Sequence, residues 1–391
     1  MDVVYPSDAI PASLSQSLFL AGPTPRDPQD HSWRPEALAL LASAGYDGVV
    51  FNPEPRNGLF ESSYDAQIEW ETEALSCSDK IICWVPREMT TMPAFTTNVE
   101  FGMWVFSGKL LYGAPPAAPK NRYLDATASR AGLTVHHSLP DLLRTVLDEL
   151  APPALRTGSE RKIPLDVFSS PSFQRWLQAQ KNAGNELCGV SFEWSSPTPG
   201  TPFIWAIRPS VYVAKEDRVK DNELVLGRPD IVSVAAIARA SKIEDCRVLL
   251  VSEFRSAVSN HAATVFELPG GSSHIALTPA NAASQAIDEL REETGLIVAP
   301  ERLHPLATRQ LAATLLSHAA TVFTVDLTDS EIEQLENAER SGDTFGEAHS
   351  SEITHVHLLR LDEILDSDLA DWSTIGMIYQ ALTANDPILD A

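Results

Sequence analysis

The chain has 391 residues, 44% of them apolar and 21% charged, which excludes a wholly disordered polymer and exceeds what one ordinary core holds, so two or three domains are expected. Lys plus Arg total 29 against 53 Asp plus Glu, a formal net charge of −24. Such a surface repels phosphate backbones and anionic lipid, so neither nucleic acid nor a membrane is the expected partner, whereas a small anionic substrate is still allowed wherever a local basic pocket or a divalent metal offsets the field.

In chain order, SLFLAG (17–22) reads as a strand closed by a Gly-Pro turn, and WRPEALALLASAGY (33–46) as a helix with Pro35 in its first turn. GVVFNP (48–53) is a second strand, Gln67–Ser76 a helix, KIICWV (80–85) a buried strand, NVEFGMWVFSG (98–108) a helix and KLLYGAP (109–115) another strand. Strands alternating with helices predict a parallel sheet over residues 1–150. Residues 151–202 are rich in Pro, Gly and Ser around one short helix, SPSFQRWLQAQKNAG, and read as a linker. From 203 to 391 the chain opens on strand-like FIWAIRPSVYVA. IVSVAAIARA and RVLLVSEFR flank a turn at Lys242–Asp245, and VFELPGGS leads into a long helix near 279–294. TVFTVDL (321–327), ITHVHLL (353–359) and a closing helix at 371–383 complete an α/β sandwich.

Cys77, Cys83, Cys188 and Cys246 are too few for a disulfide scaffold and lack paired zinc-ligand spacing. MDVVYPSDAIPASL has no basic segment followed by a long apolar run, and no stretch approaches a membrane span, so the expected compartment is the cytoplasm. His355 and His357 alternate on one strand and, with no third ligand in spacing, are read as structural or surface residues.

Two groups of residues carry chemistry. In an open α/β sheet, ligands bind beyond the carboxyl ends of the strands, which singles out LAGPTPRD (20–27) and the loop leading through TTNVEFG (96–102). Glu100 is expected in a first helical turn, where the dipole keeps a carboxylate ionised. Tyr64, Asp65, Glu69 and Glu71 precede the same strand. Carboxylates from two loops over one pocket suit N-glycosidic cleavage, one attacking C1′ while another group protonates or orients the leaving base.

FLAGPTPRD, WRPEAL, FNPEPR, DAQIEWETEAL-x3-D and MPAFTTNVEFG-x5-GK together resemble the nucleoside 2-deoxyribosyltransferase-like family over most of residues 17–125. The resemblance implies a flavodoxin-like parallel sheet and a covalent mechanism with Glu100 as nucleophile and Glu71 near the leaving base. It also implies a small-molecule nucleoside or nucleotide substrate and a homo-oligomer that completes its pockets across subunits. Phe19, Gly22, Pro23, Asp65 and Asn98 are expected to contact substrate, and Arg26, Arg34 and Arg56 are candidate phosphate contacts. Two positions depart from the family pattern: Ala94 stands where an aspartate is frequent, and Phe19 where an aromatic hydroxyl is common.

In FELPGGSSHIALTPANAASQAIDELREETGLIV (266–298), Glu289, Glu292 and Glu293 fall at i, i+3 and i+4 on one helical face, where a divalent metal would relieve their repulsion. Oxygen-only ligands suit Mg2+ or Mn2+. The segment resembles a Nudix box, with ELREETGL (289–296) matching its second half, and the likeness extends over about 205–383. It implies a Nudix hydrolase sandwich in which Glu289, Glu292 and Glu293 hold metal, Glu293 is also catalytic, Glu347 or Glu352 serves as base, and Arg255 contacts substrate. Asp288 replaces the usual bracing arginine, and His274 and Thr278 occupy the region of the first box glutamate.

The combined expectation is a bifunctional nucleotide-processing enzyme, a Nudix pyrophosphohydrolase joined to an N-glycosyl hydrolase or transferase. Two alternatives are an NAD glycohydrolase coupled to an ADP-ribose pyrophosphatase, and a glycosylase regulated by a non-catalytic, nucleotide-binding Nudix domain.

Overall fold

The computed structural model describes residues 1–26, 30–56, 63–196, 202–272, 277–346 and 353–384. The chain divides into two compact units, Met1–Gly227 and Arg228–Ala391.

The first unit begins with β1 (Asp2–Val4), β2 (Ser13–Leu14) and β3 (Ser17–Ala21), followed by α1 (Arg34–Ser43), β4 (Val49–Phe51), α2 (Tyr64–Cys77), β5 (Lys80–Trp84), α3 (Phe95–Trp104), β6 (Leu110–Gly113), α4 (Arg122–Arg130), β7 (Val135–His136) and α5 (Leu139–Glu149). Six of these strands form one parallel sheet in the order β1-β4-β3-β5-β6-β7. Because side chains alternate along a strand, β3 and β5 feed two cores at once. Phe19, Ala21, Ile81 and Cys83 join the layer containing Trp70, Phe101 and Leu124. Leu18, Leu20, Ile82 and Trp84 join the layer of Ala37, Leu41, Leu142 and Val146. Burial on both faces explains why these strands read as near-continuous apolar runs. Leaving aside the edge strand β1, the chain fills its sheet in the order 2-1-3-4-5. The direction of winding therefore reverses at β3 and β5, and a crevice opens beyond their carboxyl ends.

Residues 151–202, expected as a linker with one helix, are folded where described. They contain β8 (Arg156–Thr157), a 3₁₀ turn at Gly158–Lys162, α6 (Leu165–Phe168), α7 (Pro171–Asn182) and β9 (Glu186–Ser195). The prolines that suggested a linker start helices instead: Pro164 precedes α6 and Pro171 is the first residue of α7, where a missing N–H costs nothing. FIWAIRPSVYVA, expected to open the C-terminal domain, supplies β10 (Trp205–Val213) of the first unit. It pairs antiparallel with β9, β11 (Arg218–Lys220) and β12 (Val225–Gly227). Phe173 and Trp205 pack edge to face beneath this sheet, with ring centroids 5.4 Å apart. The division consequently falls at Gly227, because the exposed ladder of β9 is satisfied only by β10.

The second unit comprises β13 (Ile231–Ala238), β14 (Arg247–Phe254), β15 (Thr264–Glu267), β16 (Gly270–Ser272), α8 (Pro279–Thr294), β17 (His304–Gln310), β18 (Ala319–Asp326), α9 (Asp329–Ser341), β19 (His355–Arg360), α10 (Leu361–Asp366) and α11 (Trp372–Thr383). Its mixed sheet runs β15-β14-β13-β18-β17, with β16 on β13 and β19 on β14. Val232, Val234 and Ala236 face α8 and α9 through Ala286, Leu290 and Leu335. Ala235 and Ile237 face α10 and α11 through Ile364 and Ile378. The unit is thus a helix–sheet–helix sandwich. Among the described residues no helix is long and apolar enough to cross a membrane.

Candidate active site

The turn leaving β3 lies at the winding reversal. A Cβ on Gly22 would sit 2.3 Å from the Trp84 carbonyl oxygen and 2.7 Å from the Trp33 ring, so only glycine lets β3 pass this close to the end of β5. Arg34, at the start of α1, then locks the turn. Its Nε donates to the Leu20 carbonyl at 3.1 Å and its Nη2 to the Gly22 carbonyl at 2.6 Å. Nη1 reaches the Pro23 carbonyl, Thr24 Oγ1 at 3.1 Å and Glu54 Oε1 at 2.8 Å. Glu54 is steadied in turn by the Ser32 hydroxyl at 2.7 Å. With 1% exposure and every nitrogen engaged, Arg34 is not the phosphate contact expected of it, because no face of its guanidinium is left for a ligand. Arg56 pairs with Asp8 at 2.9 Å and lies over the Tyr5 ring, and the exposed Arg26 lies over Phe95.

Glu71 and Glu100 approach this turn from α2 and α3. Gln67 holds Glu71, donating from Nε2 to Oε1 at 2.8 Å and to the Pro53 carbonyl at 3.3 Å. Burial raises the Glu71 pKa, opposed by the Gln67 bond and by the charge of Arg34. Glu100 is pushed up to about 7, first by burial and then by the neighbouring Glu71 carboxylate, against the pull of Arg34. The expectation that a helix dipole keeps Glu100 ionised is corrected here. Because α3 starts at Phe95, Glu100 lies in its second turn, where desolvation and a like charge outweigh the fading dipole.

The other expected contacts are distributed unevenly. Gly22 and Pro23 are buried at the turn. Asn98 Oδ1 accepts from Arg87 Nη2 at 2.7 Å, and Arg87 also donates to the Pro93 carbonyl at 2.8 Å and Asn121 Oδ1 at 3.0 Å, so this buried arginine shapes the β5–α3 loop. Asp65 is exposed on the first turn of α2, apart from the inward-facing Glu71. Phe19 is fully buried in the sheet core. Ala94 adopts a left-handed conformation (φ 59°, ψ 39°) just before α3 and offers no side-chain cap, a strained entry to the helix that carries Glu100.

Two motif residues turn out to be architectural. Asp79 lies at the opposite pole of the sheet, where it accepts from Ser17 N at 2.7 Å, Leu165 N at 3.0 Å and Arg156 Nη2 at 2.7 Å. Lys109 donates to the Leu75 and Ser76 carbonyls at the end of α2, both at 3.0 Å, and burial brings it down to about 8. Glu54, Arg34 and Arg87 are the site residues whose roles the sequence did not reveal. The FNPEPR and WRPEAL segments contain the first two, but nothing in their spacing shows which side chain turns inward.

In the second unit Glu293 Oε2 accepts from Gly270 N at 2.9 Å, and the Glu289 carboxyl lies where a Cβ on Gly271 would be, 2.3 Å from Oε1. These two carboxylates therefore face neighbouring residues of β16. Glu292 Oε1 lies 3.4 Å from Arg291 Nη2. Among the described residues no group of three or more His, Cys, Asp and Glu side chains is placed to hold a metal ion. Carboxylate oxygens of this kind would suit Mg2+ or Mn2+ rather than a softer metal. Arg255, expected to contact substrate, is 2.9 Å from both Glu253 and Glu267. Asp288 pairs with Arg291 at 3.5 Å, and Thr278 caps α8. His357 is held by Ser252 Oγ at 2.9 Å and Glu339 at 3.1 Å. His274, Glu347 and Glu352 lie outside the described residues.

Residues 15–118 match the family described as nucleoside 2-deoxyribosyltransferase like. No curated protein matches the chain. The matched segment spans β3 to just beyond β6, and contains Gly22, Arg34, Glu54, Glu71 and Glu100.

Proposed function

We propose that the chain cleaves the N-glycosidic bond of a nucleoside or nucleoside monophosphate at Glu71 and Glu100, by hydrolysis or by transfer to a second base. The observation that carries this reading is the placement of two half-enclosed carboxylates, Glu71 held by Gln67 and Glu100 beside it, at the crevice turn that Arg34 fixes. Burial and the Glu71 charge push Glu100 up to about 7, so this carboxyl ionises within the neutral range. Glu100, ionised, attacks C1′. As the C1′–N bond breaks, its electron pair leaves with the base, which Glu71 orients and which takes a proton from water. Water, or the incoming base, then displaces the Glu100 ester at C1′, passes its proton to the Glu71 carboxylate and thence to solvent, and frees Glu100 as the carboxylate. The family match over residues 15–118 supports this chemistry. Chromatography of nucleosides and monophosphates after incubation with purified protein tests it: free base should appear, and should vanish in Glu100→Ala.

The same site bears on assembly. Phe95, Val99 and Met103 recur every four residues along α3 and are 62%, 62% and 66% exposed, an apolar stripe on the helix that carries Glu100. A homo-oligomer covering that stripe is part of the proposal, and a monomeric mass in sedimentation would remove it.

A second reading concerns the other unit: Nudix-type hydrolysis of a nucleoside diphosphate compound, yielding the monophosphate that the first site consumes. It draws on Glu289 and Glu293 both facing Gly270–Gly271. Mg2+ or Mn2+ bound there would polarise a diphosphate. Monophosphate that accumulates in Glu100→Ala with Mg2+, and not in Glu293→Gln, is the expected result.

A further inference from the structure

One side chain both ties the β3 turn and confronts the candidate carboxylates. We propose that Arg34 is the positioning residue of this site: it fixes the Leu20–Thr24 turn by its guanidinium fork and supplies the positive charge that Glu71 and Glu100 face. The consequence for catalysis rests on the glycosidic reading above; the electrostatic role does not.

The geometry is specific to arginine. Donors on all three guanidinium nitrogens reach four oxygens within the five residues 20–24, and a fifth on Glu54. Four of these acceptors are neutral, so the cation is only partly compensated by Glu54, and the remainder of its field acts on Glu100 and Glu71. The groups facing Glu100 come from three elements: Glu71 on α2, Arg34 on α1, and the Cys83 thiol on β5, which burial keeps protonated. Glu54 faces Arg34 from the loop after β4. Removing the Arg34 charge leaves Glu100 with burial and a like charge alone.

The experiment is a 13C titration of glutamate-labelled full-length protein, with the Glu100 carboxyl assigned by its absence in Glu100→Gln. The wild-type midpoint should lie at about 7. Arg34→Gln should raise it by about 1–3 pH units, the range for a lost neighbouring opposite charge. Arg34→Lys should return the midpoint toward wild type but not the melting temperature, because an ammonium cannot reproduce the fork. Should Arg34→Gln fail to fold, Arg34→Met, which keeps the aliphatic stem and removes the charge, takes its place and must raise the Glu100 midpoint likewise. An unmoved midpoint in Arg34→Gln, or in Arg34→Met where that is the variant that folds, overturns the inference. Base release is scored separately on the same variants. Titration shifts without any base release in wild type leave Arg34 as the electrostatic partner and remove the glycosidic reading. Base release that depends on Glu100, with unmoved midpoints, does the reverse.

Discussion

Asp79 and Arg156, 77 residues apart in the chain, form an ion pair in which both side chains are almost entirely buried, with Nη2 2.7 Å from Oδ2. Asp79 also accepts from Ser17 N and Leu165 N, so one carboxylate ties the starts of β3 and β5 to the segment that follows the parallel sheet. Removing one partner strands the other as a buried charge, at a cost of about 3–5 kcal/mol. Asp79→Asn and Arg156→Met should each lower the denaturation free energy by that order. The double variant should fall short of their sum. Additive losses in urea unfolding would show that the two residues do not act as a pair.

The coupled glutamates predict a pH profile. Glu100 must be ionised to attack, and its carboxyl is pushed up to about 7, so kcat/KM for base release should fall as pH drops through about 7. In Glu71→Gln the like charge is gone and the Glu100 pKa falls, so the acid limb should move to lower pH even as the maximum rate drops. A limb that stays at its wild-type position in Glu71→Gln would mean the two carboxylates do not communicate.

Two glycines near the site should respond oppositely to alanine. At Gly22 the new Cβ would meet the Trp84 carbonyl at 2.3 Å, so overpacking should cost roughly 1–3 kcal/mol and disturb Glu100-dependent activity. At Gly102, within α3, nothing lies within 4 Å, and alanine should add about 0.5–1 kcal/mol through the helix. Thermal melts of the two variants, moving down and up respectively, check both packing statements.

In the second unit Gly271→Ala must displace Glu289, whose carboxyl occupies the position of the new side chain. Calorimetric titration with Mg2+ should show weaker binding in Gly271→Ala and in Glu293→Gln than in wild type. Equal heats in all three proteins would count against a cation at this helix.

Much of the parallel sheet was legible because its strands are apolar on both faces: SLFLAG and KIICWV appear as β3 and β5, and Pro35 stands at the start of α1. The long helix of the second unit was legible from its Pro279 start and Gly295 stop. Elements without a continuous apolar signal were not. The strand β9 alternates polar and apolar residues, with much of its length exposed, and sits among prolines that mimic a linker. The helix α9, DSEIEQLENAERS, is so charged that its apolar face narrows to a few side chains, among them the buried Leu335 and Ala338. At the candidate site, Glu100 and Glu71 stand out in the sequence through the family resemblance. Their raised pKa values do not, because these arise from burial and from the mutual approach of two helices. Arg34 illustrates the same limit: a sequence shows an arginine, but not whether its fork meets backbone or solvent.

The segment that matches a known family ends at residue 118, yet the guanidinium and the amide that complete Asp79 lie at 156 and 165. The unit of resemblance is therefore shorter than the unit that can fold. A recombination breakpoint placed after the parallel sheet would leave a desolvated carboxylate beneath β3 and β5, and breakpoints that spare this sheet must fall beyond α6. Gene fusions or excisions involving the unit that holds the parallel sheet are accordingly expected to carry residues 151–168 along with it.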